Sequence, residues 1–403
     1  MHPALFERLS SLPALDKGHA RRQARPCKLC RAPALPFDAV DLNKLCSDAD
    51  PYMFGLSGVI VPYWRCTICG FLFTAFFDDW SPVEFARFIY NDDYIKVDGA
   101  YVEVRPQAMA AFVARKAAHV RDARILDYGS GVGGLARHLR DAGFRHVENY
   151  DPFSNPERPA GRFDIVTCFE VIEHSTAPLT MLEDMRGLLA DGGCVLFTTG
   201  IQPDDIAVRR ASWWYVAPRN GHASIFTVDA LATLATQCGL ILHCGIEGMA
   251  FSTGQPSAAC RALLATVGQP YVFLPLGAPP ATAAEAADWH ALERPGPDAF
   301  RWTRSSTVRW RIDLPPIRPC TAKFLVPLHM EIEPGFAAAC RLLVGGREWS
   351  PLQVDAARLT ATGVIDQDGA ATVTLRTPEP IRPADRAPGR DARSLGLAVS
   401  ADR

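Results

Sequence analysis

The sequence has no long hydrophobic run. No stretch of its 403 residues approaches the roughly 18 consecutive apolar residues of a membrane-spanning helix. Residues 1–26 also contain no uninterrupted apolar segment of the kind found at the centre of an export signal. We therefore expect a protein that has no membrane span and acts in the cytoplasm.

The sequence also has no excess of charge of either sign. Its 42 basic and 44 acidic side chains leave a formal net charge of −2, and the calculated pI is about 6.6. Proteins that bind nucleic acid through their overall field carry a marked positive excess. We therefore expect a small-molecule or glycan substrate and no nucleic-acid partner.

Cysteine, in contrast, is plentiful, with 12 residues in the chain. Without an export signal, thiols or metal ligands explain them better than disulfides do. Four form two C-x-x-C pairs, namely Cys27 with Cys30 and Cys66 with Cys69. Such paired motifs predict a tetrahedral zinc site, and Cys46 could replace one ligand. A redox pair and unliganded thiols are the alternatives. Four protein ligands leave no open position, so the predicted role is structural.

A glycine-rich turn between a short apolar strand and a helix start lies at residues 125–139. Asp127 stands at the tip of the strand, and Gly129, Gly131 and Gly134 follow in G-x-G-x-x-G spacing. This spacing is typical of dinucleotide sites, where glycines admit a pyrophosphate to a helix N-terminus. The carboxylate of Asp127 would repel a pyrophosphate but attract an ammonium group. S-adenosylmethionine (SAM) carries such a group.

A second acid supports a cofactor site. Asp151 closes the next apolar run, HVENYD at 146–151, where a carboxylate at a strand tip can accept hydrogen bonds from both ribose hydroxyls. Ribose is common to SAM and NAD, so Asp151 alone does not separate the two cofactors. An NAD-dependent oxidoreductase therefore stays an alternative interpretation of this region.

Three segments together resemble the class I SAM-dependent methyltransferases. They are the turn at 127–131, Asp151, and FEVIEHS at 169–175, which is similar to the E-V-x-E-H sequence that many members have after their fourth strand. The resemblance spans roughly residues 120–245. It implies a methyltransferase of class EC 2.1.1 with SAM held by six residues: Asp127, Tyr128, Gly129, Gly131, Asp151 and Phe169.

The remaining elements predict a doubly wound α/β sheet of Rossmann-like type. The pattern indicates strands at 164–169, 194–199 and 240–246, and helices at 106–120, 181–193 and 227–238. Only a short segment separates Phe153 from Arg162, so the usual third strand is short or missing. The residues that bind adenine are therefore not assigned.

We predict five segments along the chain. They are a zinc-binding domain at 1–80, a connector or lid at 81–105, the methyltransferase domain at 106–270, an Ala/Pro-rich linker at 271–298 and an antiparallel β-sandwich at 299–403. The zinc segment resembles those attached to many class I enzymes, including sugar C-methyltransferases. The predicted C-terminal sandwich differs from the second α/β unit that is typical of sugar C-methyltransferases. This difference favours O-methylation over C-methylation.

The long loop at 201–226 is the predicted acceptor site, because long ordered loops above a sheet usually serve function. Its aromatic and basic residues suit a sugar or another polar ring, and these are Trp213, Trp214, Tyr215 and Arg219. His222 is the candidate general base. Glu170, at the carboxyl edge of the sheet, is a second catalytic candidate, whereas a structural role is expected for His174.

These features predict a SAM-dependent methyltransferase that acts on a hydroxyl of a sugar, glycan or related polar metabolite. Tyr90, Tyr94 and Tyr101 are candidates for a lid over the cofactor, or for packing between domains. The non-enzymatic alternative is a glycan-binding protein without catalytic activity.

Overall fold

The structure is a computed structural model of the chain. It describes residues 23–246, 248–277, 287–294, 299–314, 316, 319–349, 351–355, 358–366, 369–386, 391 and 393–401. Much of the predicted linker at 271–298 lies outside the described residues. The chain divides into two compact units, Met1–Gln269 and Pro270–Arg403. None of the described helices has the length and hydropathy needed to cross a membrane.

The first unit contains eleven strands and eight helices among its described residues. The strands are β1 (Arg25–Pro26), β2 (Pro33–Asp41), β3 (Ile60–Cys66), β4 (Leu72–Phe73), β5 (Arg124–Tyr128), β6 (His146–Tyr150), β7 (Phe163–Phe169), β8 (Leu189–Thr198), β9 (Ser224–Ile225), β10 (Ile241–Cys244) and β11 (Met249–Ser252). The helices are α1 (Pro82–Phe88), α2 (Tyr94–Val97), α3 (Val104–Lys116), α4 (Gly134–Asp141), α5 (Pro178–Leu188), α6 (Ile206–Arg209), α7 (Val228–Gln237) and α8 (Ala258–Val267).

The main sheet of this unit is a mixed α/β sheet. Strand β5 pairs in parallel with β6 and β7, and β7 pairs in parallel with β8. Strand β11 is antiparallel to β8 and β10 is antiparallel to β11. No strand occurs between Tyr150 and Phe163, a stretch that is described throughout. This agrees with the expectation that the usual third strand is short or missing.

The main sheet is covered on both faces, as two successive residues of strand β5 show. Ile125 and Leu126 are both fully buried, although successive side chains of a strand point to opposite faces. Ile125 belongs to a core cluster with residues of α3, α4 and α8, whereas Leu126 does not. Strands covered on both faces have successive buried apolar residues, as Ile125 and Leu126 of β5 and Ile165 and Val166 of β7 show.

One helix ends earlier than its sequence predicts. Helix α5 stops at Leu188, because Leu189 is extended and begins strand β8. The glycines that suggested a helix end serve the sheet instead. A Cβ on Gly193 would lie 3.0 Å from the carbonyl oxygens of Phe163 and Asp164, so the close approach of β7 and β8 requires glycine there.

A second, smaller sheet holds the cysteine-rich segment. Its strand order is β1-β2-β3-β4-β9, and all its pairs are antiparallel. Strand β9 comes from the loop at 201–226, so the segment shares a sheet with the α/β part of the chain. A common core cluster joins them, in which Tyr63 and Phe77 pack with Trp213, Tyr215 and Ile225.

The second unit is built of strands β12 (Gln269–Pro275), β13 (Phe300–Trp302), β14 (Thr307–Asp313), β15 (Cys320–Glu331), β16 (Arg341–Val344), β17 (Arg347–Trp349), β18 (Gln353–Asp355), β19 (Arg358–Ile365), β20 (Ala370–Arg376) and β21 (Leu397–Ser400), with helix α9 (Pro383–Arg386). Strands β14, β20, β16 and β17 form one antiparallel sheet. Strands β13, β21, β15, β19 and β18 are also paired antiparallel.

The two sheets of the second unit enclose one core. Trp310 of β14 and Val373 of β20 belong to the same cluster as Phe324 of β15 and Val399 of β21. Strand β12 pairs in parallel with β15, so the unit is not purely antiparallel. Its residues 271–275 were expected in the linker, but their apolar run YVFLP supplies the buried side chain of Phe273.

Candidate functional site

A cavity of about 630 Å³ lies in the first unit, beside the carboxyl ends of β5 and β6. Its volume falls within the range of about 300–1,000 Å³ that is usual for small-molecule sites. One wall comes from the glycine turn and the adjacent acids, represented by Asp127, Gly131 and Asp151. The opposite wall comes from the segment at 85–109.

Asp127 is the most deeply buried acid in this wall, with 4% of its surface exposed. One carboxylate oxygen lies 3.2 Å from the hydroxyl of Thr167, which donates to it. Burial raises the pKa of Asp127 to about 7, with a further contribution from the nearby charge of Asp151. A buried carboxylate without a cationic partner, facing a cavity, is suited to bind an ammonium group.

The glycine turn is shaped by left-handed backbone conformations. Gly129 has φ of +77° and Gly131 has φ of +52°. A Cβ on Gly129 would lie 2.6 Å from Val171, whereas a Cβ on Gly131 would have nothing within 4 Å. The amides of Gly129 and Ser130 both donate to the carbonyl of Tyr150, which fixes the turn to the end of β6. Gly131 therefore leaves open space where a ligand can approach the backbone.

Asp151 holds this turn in place. One of its oxygens accepts hydrogen bonds from the amides of Phe153 and Ser154, each at 2.9 Å. The other accepts from the amide of Gly131 at 3.0 Å. A carboxylate oxygen accepts two hydrogen bonds, so the second oxygen can take one more. The expectation that Asp151 binds both ribose hydroxyls is therefore narrowed to one direct hydrogen bond.

The two other predicted cofactor residues also line the cavity. The phenol of Tyr128 donates to Asp184 at 3.0 Å, which anchors its ring at the end of β5. The ring of Phe169 packs edge-on against Phe112, with centroids 6.1 Å apart. Both side chains thus present apolar surface to whatever occupies the cavity.

The opposite wall is aromatic and charged. Tyr90, Tyr94 and Tyr101 all line the cavity, and Tyr94 is in edge contact with both other rings. Arg105 lines it as well and makes a bidentate ion pair with Asp98 at 2.8 and 3.0 Å. The sequence left open a lid over the cofactor or packing between domains for the tyrosines, and they both line the cavity and pack on the core shared with the cysteine-rich segment. It gave no signal for Arg105 and Asp98.

Glu170 and His174 complete the wall beyond β7. Glu170 has φ of +54°, an uncommon conformation for a residue with a Cβ and one that concentrates at functional sites. Its backbone amide donates to Thr198 at 3.2 Å, which holds it at the sheet edge. Burial lowers the pKa of His174 to about 4. The sequence favoured a structural role for His174, whereas the structure places it in the cavity wall.

The predicted acceptor residues of the 201–226 loop do not line the cavity. Trp213 and Tyr215 are 7% and 2% exposed and belong to the core shared with the cysteine-rich segment. Arg219 donates to the carbonyl of Ile89, and Trp214 is partly exposed elsewhere. The substrate-binding hypothesis for these four residues is therefore corrected. Their aromatic surface is used for packing, because strand β9 brings this loop against the small sheet.

His222 does not line the cavity either. Its Nδ1 is 2.8 Å from the carbonyl of Tyr215, and its ring is in edge contact with that of His174. Burial lowers the pKa of His222 to about 3, and the neighbouring His174 adds to this effect. A general base must reach the proton it removes. The structure does not bring His222 to that position, so its predicted role as the base is corrected.

The four cysteines of the C-x-x-C pairs converge in one cluster. Their sulfurs all lie within 4.8 Å of one another, and the Cys30–Cys66 and Cys27–Cys69 distances are 3.4 and 3.8 Å. Four sulfurs at about 2.3 Å from one zinc ion would be about 3.8 Å apart. Cys46 is not part of this cluster and instead contacts the ring of His222.

Comparison with known families agrees with the geometry of the cavity. Residues 101–244, somewhat over a third of the chain, match a family model described as a methyltransferase domain. This range contains the glycine turn, both acids and Glu170. This part of the chain therefore has the sequence pattern of a methyltransferase domain. No curated protein matches the chain.

Solved structures similar to this methyltransferase domain share little sequence with it. CalO1, a methyltransferase in calicheamicin biosynthesis with S-adenosylhomocysteine bound, is 16% identical over 43% of this chain and 63% of its own, with a TM-score of 0.30. The 1,6-didemethyltoxoflavin-N1-methyltransferase of Burkholderia thailandensis is 16% identical over 49% of this chain and 96% of its own, with a TM-score of 0.32. The match thus spans less than two thirds of CalO1.

Proposed function

We propose that the protein transfers the methyl group of SAM to a hydroxyl of a sugar, glycan or related polar metabolite. Asp127 would bind the ammonium group of SAM, the backbone at Gly129 and Gly131 would lie beside its methionine end, and Asp151 would accept one ribose hydroxyl. The observation that carries this proposal is the buried Asp127, which faces the cavity and has the Thr167 hydroxyl, but no cationic side chain among the described residues, as its side-chain partner.

The cavity supports a polar acceptor. Tyrosine rings offer flat apolar faces with hydrogen-bonding tips, a combination that suits a sugar ring. Arg105 and Asp98 add a charged pair in the same wall, where hydroxyls can donate to the carboxylate and accept from the guanidinium. The sugar proposal therefore rests on the wall at 85–109 rather than on the 201–226 loop.

Glu170 is the residue that would take the proton. In the reaction, the acceptor oxygen forms a bond to the methyl carbon and the carbon–sulfur bond breaks, with its electron pair going to sulfur. The hydroxyl proton moves to the Glu170 carboxylate, and the products are a methyl ether and S-adenosylhomocysteine. Because the sulfonium is a good leaving group, an in-line approach within the cavity supplies much of the acceleration.

We further propose that the four-cysteine cluster binds a structural zinc ion. The amides of Leu29 and Ile68 donate to the sulfurs of Cys27 and Cys66, each at 3.4 Å. Such hydrogen bonds orient and stabilise ligating thiolates. The cluster does not line the cavity, so the ion would support the fold and leave the methyl transfer to the cavity residues.

Calorimetry with SAM and with NAD in separate titrations tests the cofactor. We expect SAM and S-adenosylhomocysteine to bind, and we expect the Asp127→Asn variant to lose most of that affinity while it stays folded. NAD binding without SAM binding would reverse the assignment. The acceptor is then sought with isotopically labelled SAM and cell extract, by looking for a mass shift of one methyl group in the sugar and glycan fraction. Glu170→Gln should abolish that labelling without weakening SAM binding.

A further inference from the structure

A cluster of two histidines and one glutamate extends from the cavity wall, where His174 lies, into the buried interior. Glu173, His174 and His222 each bring one possible ligand atom to within 4.8 Å of the others. Glu173 is completely buried, and His222 is 5% exposed. Glu173 and His174 are neighbours in the chain, His222 lies in the later 201–226 loop, and the amide of Ala223 donates to the carbonyl of Glu173 at 2.9 Å, which holds the two segments together.

The glutamate in this cluster has unused hydrogen-bonding capacity. One oxygen of Glu173 accepts from the phenol of Tyr215 at 2.8 Å. The other is buried and has no hydrogen-bond partner among the described residues. A buried oxygen without a partner is costly, so it marks a position where a ligand is missing. The Nε2 atom of His174 lies 3.9 Å from the partnered oxygen of Glu173.

The second histidine is oriented as metal-bound histidines usually are. His222 uses Nδ1 for a 2.8 Å hydrogen bond to the backbone carbonyl of Tyr215. This bond favours the tautomer with hydrogen on Nδ1 and a lone pair on Nε2, where the nearby Sγ of Cys46 lies at 3.9 Å and would give way to a bound ion. A backbone carbonyl in this role is a standard outer partner of a ligating imidazole.

We propose that Glu173, His174 and His222 bind a divalent transition-metal ion at the wall of the methyltransferase cavity. Nitrogen and oxygen ligands at about 2.0–2.2 Å from one ion are about 3–4 Å apart, so closure around it needs only small side-chain shifts. Two imidazoles and one carboxylate suit manganese, iron or zinc. Three protein ligands also leave positions open for a further ligand.

This site deepens the function proposed above and rests on it for its role. His174 lines the cavity together with Glu170. An ion on His174 would bind the acceptor oxygen and lower the pKa of its hydroxyl. The proton would leave to Glu170, the oxygen would bond to the methyl carbon, and the sulfur would keep the electron pair of the broken bond. The ion is neither oxidised nor reduced.

Manganese titration of the zinc-loaded full chain tests the site without any acceptor. Free Mn²⁺ is followed by electron paramagnetic resonance, and this hard ion does not favour thiolates, so the cysteine cluster does not compete for it. We expect one tight site in the wild type and affinity weakened by more than about tenfold in His222→Asn and in Glu173→Gln. Wild-type protein that takes up no Mn²⁺, Co²⁺ or additional Zn²⁺ overturns the proposal.

A matched histidine variant and bound SAM separate the possible outcomes. His243 is also buried, its Nε2 is 2.8 Å from the Ser252 hydroxyl, and it is not a member of the cluster. His243→Asn should keep the Mn²⁺ site, and equal loss in this control overturns the assignment of ligands. Bound Mn²⁺ should broaden the S-methyl proton resonance of SAM. If this resonance stays sharp while Mn²⁺ is bound, the proposed role of the ion in the methyl transfer is overturned. If SAM fails to bind while Mn²⁺ still does, the proposed function fails but the metal site stands.

Discussion

The hydroxyl of Thr167 donates to the carboxylate of Asp127 at 3.2 Å, and it is the only side-chain hydrogen bond recorded for that carboxylate among the described residues. The two residues face each other across the parallel strands β5 and β7, at the register Asp127↔Thr167. One neutral hydroxyl stabilises the charge too little to offset burial. The pKa of Asp127 therefore stands at about 7 in the ligand-free protein.

This relationship predicts an acid limb in the pH dependence of SAM binding. Bound ammonium favours the ionised carboxylate, so binding at a pH below about 7 must release a proton from Asp127. The affinity should therefore fall about tenfold between pH 6 and pH 5. The α-amino group of SAM loses its own proton at about pH 8, so the SAM affinity should also decline on the alkaline side. Calorimetry across this range measures both limbs.

The matched variant for this prediction is Asp127→Asn. It cannot titrate, so its weaker SAM affinity should not vary between pH 5 and pH 6. A wild-type affinity that stays constant across the same interval would show that Asp127 is ionised before SAM arrives, and it would remove the burial argument.

A pair of glycine variants separates folding from cofactor binding. Both Gly129 and Gly131 have positive φ, so alanine at either position costs about 1–2 kcal/mol in backbone strain. Alanine at Gly129 would also overlap Val171, which adds about 1–3 kcal/mol. Alanine at Gly131 meets no protein atom but projects into the open space beside the turn. Gly131→Ala should therefore weaken SAM binding, and it should lose less stability than Gly129→Ala does.

Gly346 provides the control for this pair. It has φ of +85°, and a Cβ there would meet nothing within 4 Å, but it lies in the second unit. Gly346→Ala should show the backbone strain alone, with SAM affinity unchanged. Denaturant unfolding and calorimetry measure the two effects. Equal SAM affinity for Gly131→Ala and wild type contradicts the placement of the methionine end.

The sequence was informative wherever a local pattern decided the structure. The turn after Asp127, the cap that Thr227 provides through its hydrogen bond to the amide of Ala230, and the alternation in β14 are of this kind. The 201–226 loop was misjudged because exposed and buried aromatics look alike in a sequence. Trp213 is buried only because the small sheet, more than a hundred residues earlier, packs on it. Contacts at that separation leave no periodic signal.

Removal of zinc should affect more than the cysteine-rich segment. A zinc site in a separate domain at 1–80, as the sequence predicts, would lead chelation to unfold those residues preferentially. Strand β4 pairs with β9, with Leu72 opposite Ile225 and Phe73 opposite Ser224, so the small sheet continues into the α/β part of the chain. Hydrogen exchange after chelation should therefore rise in residues 206–226 as well. Strand β20 of the second unit should keep its protection.

Cys244 offers a control for the zinc prediction, because this free, partly buried cysteine lies outside the four-sulfur cluster. Cys66→Ser should lower both zinc content and the stability of the first unit, whereas Cys244→Ser should retain the zinc. Full protection of residues 206–226 in the chelated protein would contradict the idea that the two parts unfold together.

The phenol of Tyr215 should contribute substantially to the free energy of unfolding, although the residue lies in a loop. It donates to Glu173 at 2.8 Å and accepts from the amide of Gly200, also at 2.8 Å. Tyr215→Phe keeps the ring but leaves a buried carboxylate oxygen and a backbone amide without partners. The expected cost is about 1–3 kcal/mol in the free energy of unfolding, as measured in urea. Trp214→Phe, on the more exposed neighbouring ring, should cost less. Equal stability of Tyr215→Phe and wild type would show that water replaces the phenol, and that Glu173 is less enclosed than these contacts indicate.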